Sequence, residues 1–151
     1  MQTAPLPVVA LTLGDPAGVG PELIARLLGQ TDATAHANIV LVGDAWLWAD
    51  GQKIAGVEVA TQPVRNFAEV RARADTRLPA WLPLDTVAAA QVVRGQAQAA
   101  GGASVLQVLN ACMDATQRGE VDAICFAPLN KFAMKQGGLR HEDELHHFAE
   151  Y

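Results

Sequence analysis

Aromatic residues make up only 5% of the 151 positions, so a core has to be built from Ala, Val, Leu and Ile. There are two cysteines, Cys112 and Cys125, each in apolar surroundings and without CxxC spacing. That excludes a disulfide framework and leaves two buried, reduced thiols as the expectation. Basic runs are missing: Arg65, Arg71, Arg73 and Arg77 stand apart among acids and read as a solvated surface. With a net charge of −5 and a pI near 5.2, the chain lacks the basic face that nucleic acid demands. No apolar run approaches a membrane span, and no charged region followed by a hydrophobic stretch opens the chain. No membrane association and a cytoplasmic location are therefore expected.

What is present suits a layered α/β structure. Half the residues are hydrophobic and 18% are charged, enough for one compact domain with aliphatic strands and Ala/Leu-rich helices. The run from Val8 to Leu13 reads as a buried strand closed by Gly14, followed by a Gly/Pro-rich loop to Gly20. Pro21 opens a helix with Glu22 in its first turn and an apolar stripe of Leu23, Ile24, Leu27 and Leu28. Asn38 to Val42 is a second strand, and Asp44 a candidate cap for a helix broken around Gly51 and Gly56. Val57 to Ala60 is a further strand candidate, while Gln62 to Leu84, punctuated by prolines, gives no clear periodicity. Val105, Leu106, Val108, Leu109, Cys112 and Met113 recur at helical spacing and stop at Arg118-Gly119. The Ala- and Gly-rich stretch before them, from Ala97 to Ala103, implies tight helix packing. Ala123 to Ala127 (AICFA) reads as a buried strand and Phe132 to Gln136 as a short helix. Strand–loop–helix units in this order predict a parallel or mixed sheet flanked by helices.

Three segments carry polar groups suited to chemistry. The first is GDPAGVGPE, Gly14 to Glu22, a loop leaving a strand and opening a helix, where open α/β sheets place ligands. It lacks the G-x-G-x-x-G spacing, its prolines remove donors, and an ordinary turn with Asp15 as turn former accounts for it equally well. The second is APLNK, in which Asn130 offers a donor and an acceptor and Lys131 a charge for a carboxylate or phosphate. The third, Arg140 to His147, holds three of the four histidines. On a helix, His141 with Leu145, Glu142 with His146 and Asp143 with His147 would share faces, a spacing at which a His/carboxylate pair can chelate a metal. A polar amphipathic helix burying Leu145 and Phe148 fits the same pattern.

Together, GDPAGVGPE, then GEVDAICFAPLNK, then an acidic His-rich segment resemble the 4-hydroxythreonine-4-phosphate dehydrogenase (PdxA-like) family. The resemblance runs from Leu11 to Glu150 and is weakest between Asp50 and Val93. It implies the first half only of an isocitrate/isopropylmalate dehydrogenase-like α/β fold, with residues 1–151 as the amino-terminal part and the NAD-binding part beyond it, since family chains are roughly double this length. It implies a homodimer that oxidises a secondary alcohol of a small acidic substrate with NAD, with decarboxylation, beside a divalent metal (Zn, Mg, Mn or Co). The substrate would be 4-phosphooxy-threonine, a phosphorylated four-carbon acid, or an aromatic-carboxylate cis-dihydrodiol.

Carried onto this chain, Asn130 and Lys131 match the substrate-contacting dipeptide, and Gly14, Asp15 and Gly18 the signature loop. Lys131 and Asp15 are then the catalytic candidates. The family's Gly-His-Thr-Glu motif is altered: ungapped, Glu144 stands at the metal histidine's place and His146 at the glutamate's. His146 is the expected metal ligand, with Glu144 as co-ligand or orienting group, and His141 and His147 as lesser candidates. Cofactor-binding residues are not identified. Alone, the chain is expected neither to bind NAD well nor to turn over. Two other readings remain: a non-catalytic α/β module holding an acidic metabolite, and a scaffold using the helix around Ala97 to Leu109 as a contact face.

Overall fold

The computed structural model describes residues 5–30 and 32–151. In chain order the elements are β1 (Val8–Thr12), α1 (Gly20–Leu28), β2 (Asn38–Gly43), α2 (Ala45–Ala55), β3 (Gln62–Pro63), α3 (Phe67–Ala72), β4 (Ala80–Pro83), α4 (Ala99–Gln117), β5 (Ala123–Phe126), α5 (Lys131–Gln136) and α6 (Glu144–Glu150). The five strands form one sheet in the order β3-β4-β2-β1-β5, and every pairing is parallel. The expected α/β class holds, with the sheet purely parallel.

Strand alternation sorts the core into two faces. Val8 and Ala10 of β1, Val40 and Val42 of β2, and Ala80 and Leu82 of β4 pack with Phe67 and Val70 of α3 and Val108, Cys112 and Ala115 of α4. Their neighbours Leu11, Ile39, Leu41 and Trp81 face the other way, onto Ile24, Ala25 and Leu28 of α1 and Leu47 and Trp48 of α2. Burial on both faces explains why β1 and β2 read as continuous aliphatic runs. Each fully buried aliphatic side chain contributes roughly 1.5–3 kcal/mol. Among the described residues, no helix is long and apolar enough to cross a membrane.

Several sequence expectations are corrected. Val57 to Ala60 forms no strand: Gly56 caps α2 in the left-handed region, and the Val59 N–H donates to the Gln52 side chain, so pairing with β4 begins only at Gln62. Helix α2 runs through Gly51 without a break. Asp44 stands at the cap position, but its side chain makes no capping bond there. AICFA is not a buried strand. As the outermost strand, β5 has Ala123 and Cys125 exposed and Ile124 and Phe126 half-buried, because α1 and α2 cover the inner strands and not this one. Cys125 is accordingly an exposed thiol, whereas burial pushes the Cys112 thiol up to about 12.

Tight packing in the Ala/Gly stretch is present, and internal. A Cβ on Gly102 would lie 1.8 Å from the Ala133 carbonyl oxygen, so only glycine lets α4 meet α5. The Gly102 position on that helix is thereby occupied within the chain.

Candidate functional site

From β1 the chain moves to β2 on one side, while β5 lies on β1's other side. The gap between the ends of β1 and β5 is therefore the topological switch point, where open parallel sheets bind ligands. The two loops singled out in the sequence leave the sheet there. Thr12 pairs with Phe126, so both strands end in register, and the Asp15 N–H donates to the Pro128 carbonyl at 3.1 Å, joining the loops. Gly14 has φ of 75°, and a Cβ there would stand 2.6 Å from the Pro128 oxygen. Its glycine serves contact between the two loops.

The first loop spends its donors on itself. The Ala17 N–H donates to Asp15 Oδ1 at 2.9 Å, and the Gly18 N–H to the Asp15 carbonyl at 3.0 Å. Asp15 is buried and holds the turn. With the amides of Asp15, Ala17 and Gly18 already bonded, and Gly14 packed on backbone, this loop makes no open cradle for a pyrophosphate.

The second loop presents the charge. Asn130 caps α5, its Oδ1 accepting from the Ala133 N–H at 3.0 Å, and so fixes where Lys131 leaves the helix. Lys131 is 60% exposed, and its Nζ lies 3.8 Å from Glu144 Oε2 on α6. The Glu144 side chain is only 16% exposed, and this oxygen is buried without a hydrogen-bond partner.

The histidine segment is not the helix its spacing suggested. Asp143 caps α6 by accepting from the His146 N–H at 3.0 Å, so Arg140 to Glu142 lie outside the helix and the i, i+4 faces do not form. Leu145 is 67% exposed, not buried. The His146 ring Nδ1 lies 2.7 Å from Asp143 Oδ1. The His146 N–H and ring hold the Asp143 carboxyl below its ordinary range, and Asp143 in turn raises the His146 imidazole above 6.5. His147 Nε2 donates to Asn110 Oδ1 at 2.8 Å; burial, then His141, lower its pKa. His141 sits 3.5 Å from Glu150 Oε2.

Asp15, Asn130, Lys131 and Glu144 are thus linked along one edge. Glu144 and His146, two positions apart on α6, do not face the same side. Among the described residues, no three His, Cys, Asp or Glu side chains converge to hold a metal. Because the Glu144 and His146 side chains point apart, this chain would contribute at most one of them to a divalent centre shared with other parts of the protein.

A network absent from the sequence reading stands beside this edge. Asp44, buried at the end of β2, accepts from the Thr86 N–H at 2.8 Å, the Val87 N–H at 3.2 Å and the Thr86 hydroxyl at 2.6 Å. The Thr86 proton being committed, Ser104 of α4 donates to Thr86 Oγ1 at 2.6 Å. Between Asp44, Ser104 and Gly14 lies a cavity of about 10 Å³, room for one water. The available signal was the Gly-Asp pair ending both β1 and β2; Thr86 lay beyond the unreadable stretch.

Comparison with known proteins gives a consistent answer. The family model of the pyridoxal phosphate biosynthetic protein PdxA matches residues 35–151. A Pseudomonas aeruginosa protein named as a 4-hydroxythreonine-4-phosphate dehydrogenase is 40% identical over 151 residues, covering 99% of this chain and 44% of the relative. A Symbiobacterium thermophilum protein named for D-threonate 4-phosphate is 32% identical over 129 residues, covering 85% of this chain and 38% of the relative. The crystal structure of a Burkholderia phymatum 4-hydroxythreonine-4-phosphate dehydrogenase superposes with TM-score 0.82 at 30% identity, covering 97% of this chain and 44% of that one. A terephthalate 1,2-cis-dihydrodiol dehydrogenase from Burkholderia xenovorans gives 0.71 at 25% identity, covering 95% and 41%. The chain thus spans less than half the length of these relatives. By sequence and by fold, it belongs to the PdxA family.

Proposed function

We propose that this chain forms the acid-binding wall of a dehydrogenase that oxidises a secondary alcohol of a phosphorylated hydroxy acid. The observation that carries the reading is the joining of the GDPAGVGPE and APLNK loops at the switch point, with Lys131 at its mouth. Lys131 supplies a mobile positive charge to a phosphate or carboxylate, and the Asn130 amide N–H₂, left over from capping, can donate beside it. The packed first loop, held by Asp15, supplies a rigid floor that orients the bound acid. The relatives named for 4-hydroxythreonine 4-phosphate and D-threonate 4-phosphate support a phosphorylated four-carbon acid. The likeness to the terephthalate dihydrodiol enzyme supports a second reading, an aromatic-carboxylate cis-dihydrodiol, at the same lysine.

NAD as the hydride acceptor belongs to this proposal, with its site in the polypeptide that the longer relatives carry beyond the matched region. Homodimer formation is proposed on the same footing. No step is assigned to a metal through residues of this chain. The test joins this chain to the carboxyl-terminal part of the Pseudomonas relative and follows NADH formation with each acid. Activity with a phosphorylated hydroxy acid, abolished by Lys131→Met, is the expected result. Ligand binding without NADH formation by the well-folded hybrid would favour a non-catalytic binding module.

A further inference from the structure

We infer that β5 is built as an interior strand: its free edge takes a further strand, and its Cys125 side a covering helix, from the polypeptide that the longer relatives carry beyond the matched region. The inference concerns assembly and stands apart from the acid-binding reading.

Three observations converge on this strand. Its sequence carries none of the devices that make a permanent edge tolerable: Ala123 to Phe126 (AICF) holds no charge and no proline. Such a run is the composition of a strand covered on both faces, yet β5 pairs only with β1 and exposes Ala123 and Cys125. Both sides of the edge, moreover, are apolar and open. On the α4 side, Met113, Ile124 and Phe148 line a groove of about 360 Å³. On the other side lie Cys125 and two exposed leucines of α1, Leu23 and Leu27. These follow Gly20 at i+3 and i+7 and share its side of the helix, and Gly20 packs on Ala127, just past β5. Finally, the groove is where the relatives continue. Tyr151 lines it and is the last residue matched to the family, and the Burkholderia phymatum enzyme keeps this fold as 44% of a longer chain. A second copy fits less well. Two four-residue edges would exchange a few backbone bonds over little area, against the roughly 1,200–2,000 Å² of a stable interface.

Cys125 reports on the edge, with Cys112 as the buried control. N-ethylmaleimide labelling, read by peptide mass spectrometry, is compared in this chain and in a hybrid joining it to the carboxyl-terminal part of the Pseudomonas relative. Cys125 should label quickly in the chain and about a hundredfold more slowly in the hybrid, where only local opening exposes it. Ala123→Lys, at an exposed position, should leave unfolding of the chain unchanged and restore fast labelling in the hybrid. Equal labelling in the two proteins, or slow labelling that survives Ala123→Lys, overturns the inference. Slow labelling of the chain alone that quickens on dilution assigns the edge to a second copy and overturns it too. Should the hybrid not fold, the intact Pseudomonas relative with a cysteine at the position aligned with Cys125 replaces it; slow labelling is expected there, and fast labelling overturns the inference.

Discussion

The switch-point loops and the α6 segment meet at one edge but are built differently. The first loop is largely buried and is joined to the second by a hydrogen bond and by Gly14 and Gly20, where no Cβ fits, and the second leads into α5, which packs on α4 at Gly102. Helix α6 is one short stretch with no fully buried residue, held by a cap, a few polar contacts and the half-buried Phe148, which packs on Phe126 and the cluster around Leu109 and Met134. The difference teaches that the shape of the cleft is fixed by packing, whereas the charges that face a ligand sit on parts that can move. Variants should therefore divide sharply by region.

The largest effect is expected from Gly102→Leu, which drives a side chain into the Ala133 backbone. A loss of about 3 kcal/mol or more in urea unfolding is predicted, or outright failure to fold. Wild-type stability in this variant would break the comparison. Asp44→Ala should come next. It strands the Thr86 and Val87 donors, and a cost of roughly 2–3 kcal/mol follows. Asn130→Ala removes a cap from α5, with about 1 kcal/mol expected by the same measurement.

The smallest effects belong to α6 and depend on pH. His146 is raised, so its contribution is complete below its ordinary value of 6.5 and fades as pH climbs through the raised one. Asp143 is lowered, so its contribution is present above 3.8 and fades as pH falls through the lowered one. The α6 cap should be firmest in the mildly acidic window between them, with the loops unchanged. NMR titration of the His146 ring should give a value above 6.5 that returns toward it in Asp143→Asn. A ring indifferent to that substitution would show the pair to be unimportant.

How much was legible follows from the same division. Strands β1 and β2, α1 and the long α4 were readable because burial on both faces of a sheet, or on one stripe of a helix, leaves aliphatic periodicity. The position of Asp15 and Lys131 at strand exits was readable for the same reason. β3 and β4 were not, because strands of two and four residues with prolines carry little pattern, and Cys125 was misplaced because sequence does not say which strand lies at an edge. The helix start at Glu144 was missed since Asp143 reads equally as a face residue and as a cap. That Glu144 meets Lys131 depends on how α5 and α6 pack, which no local spacing encodes.

The central claim is that an acid binds where β1 and β5 end. Backbone NMR shifts recorded while a phosphorylated hydroxy acid is titrated onto the chain test it most directly. Shifts concentrated at Gly14, Asp15, Asn130, Lys131 and Glu144 are predicted. Shifts confined to the opposite end of the sheet, around Arg71 and Arg73, would contradict the account.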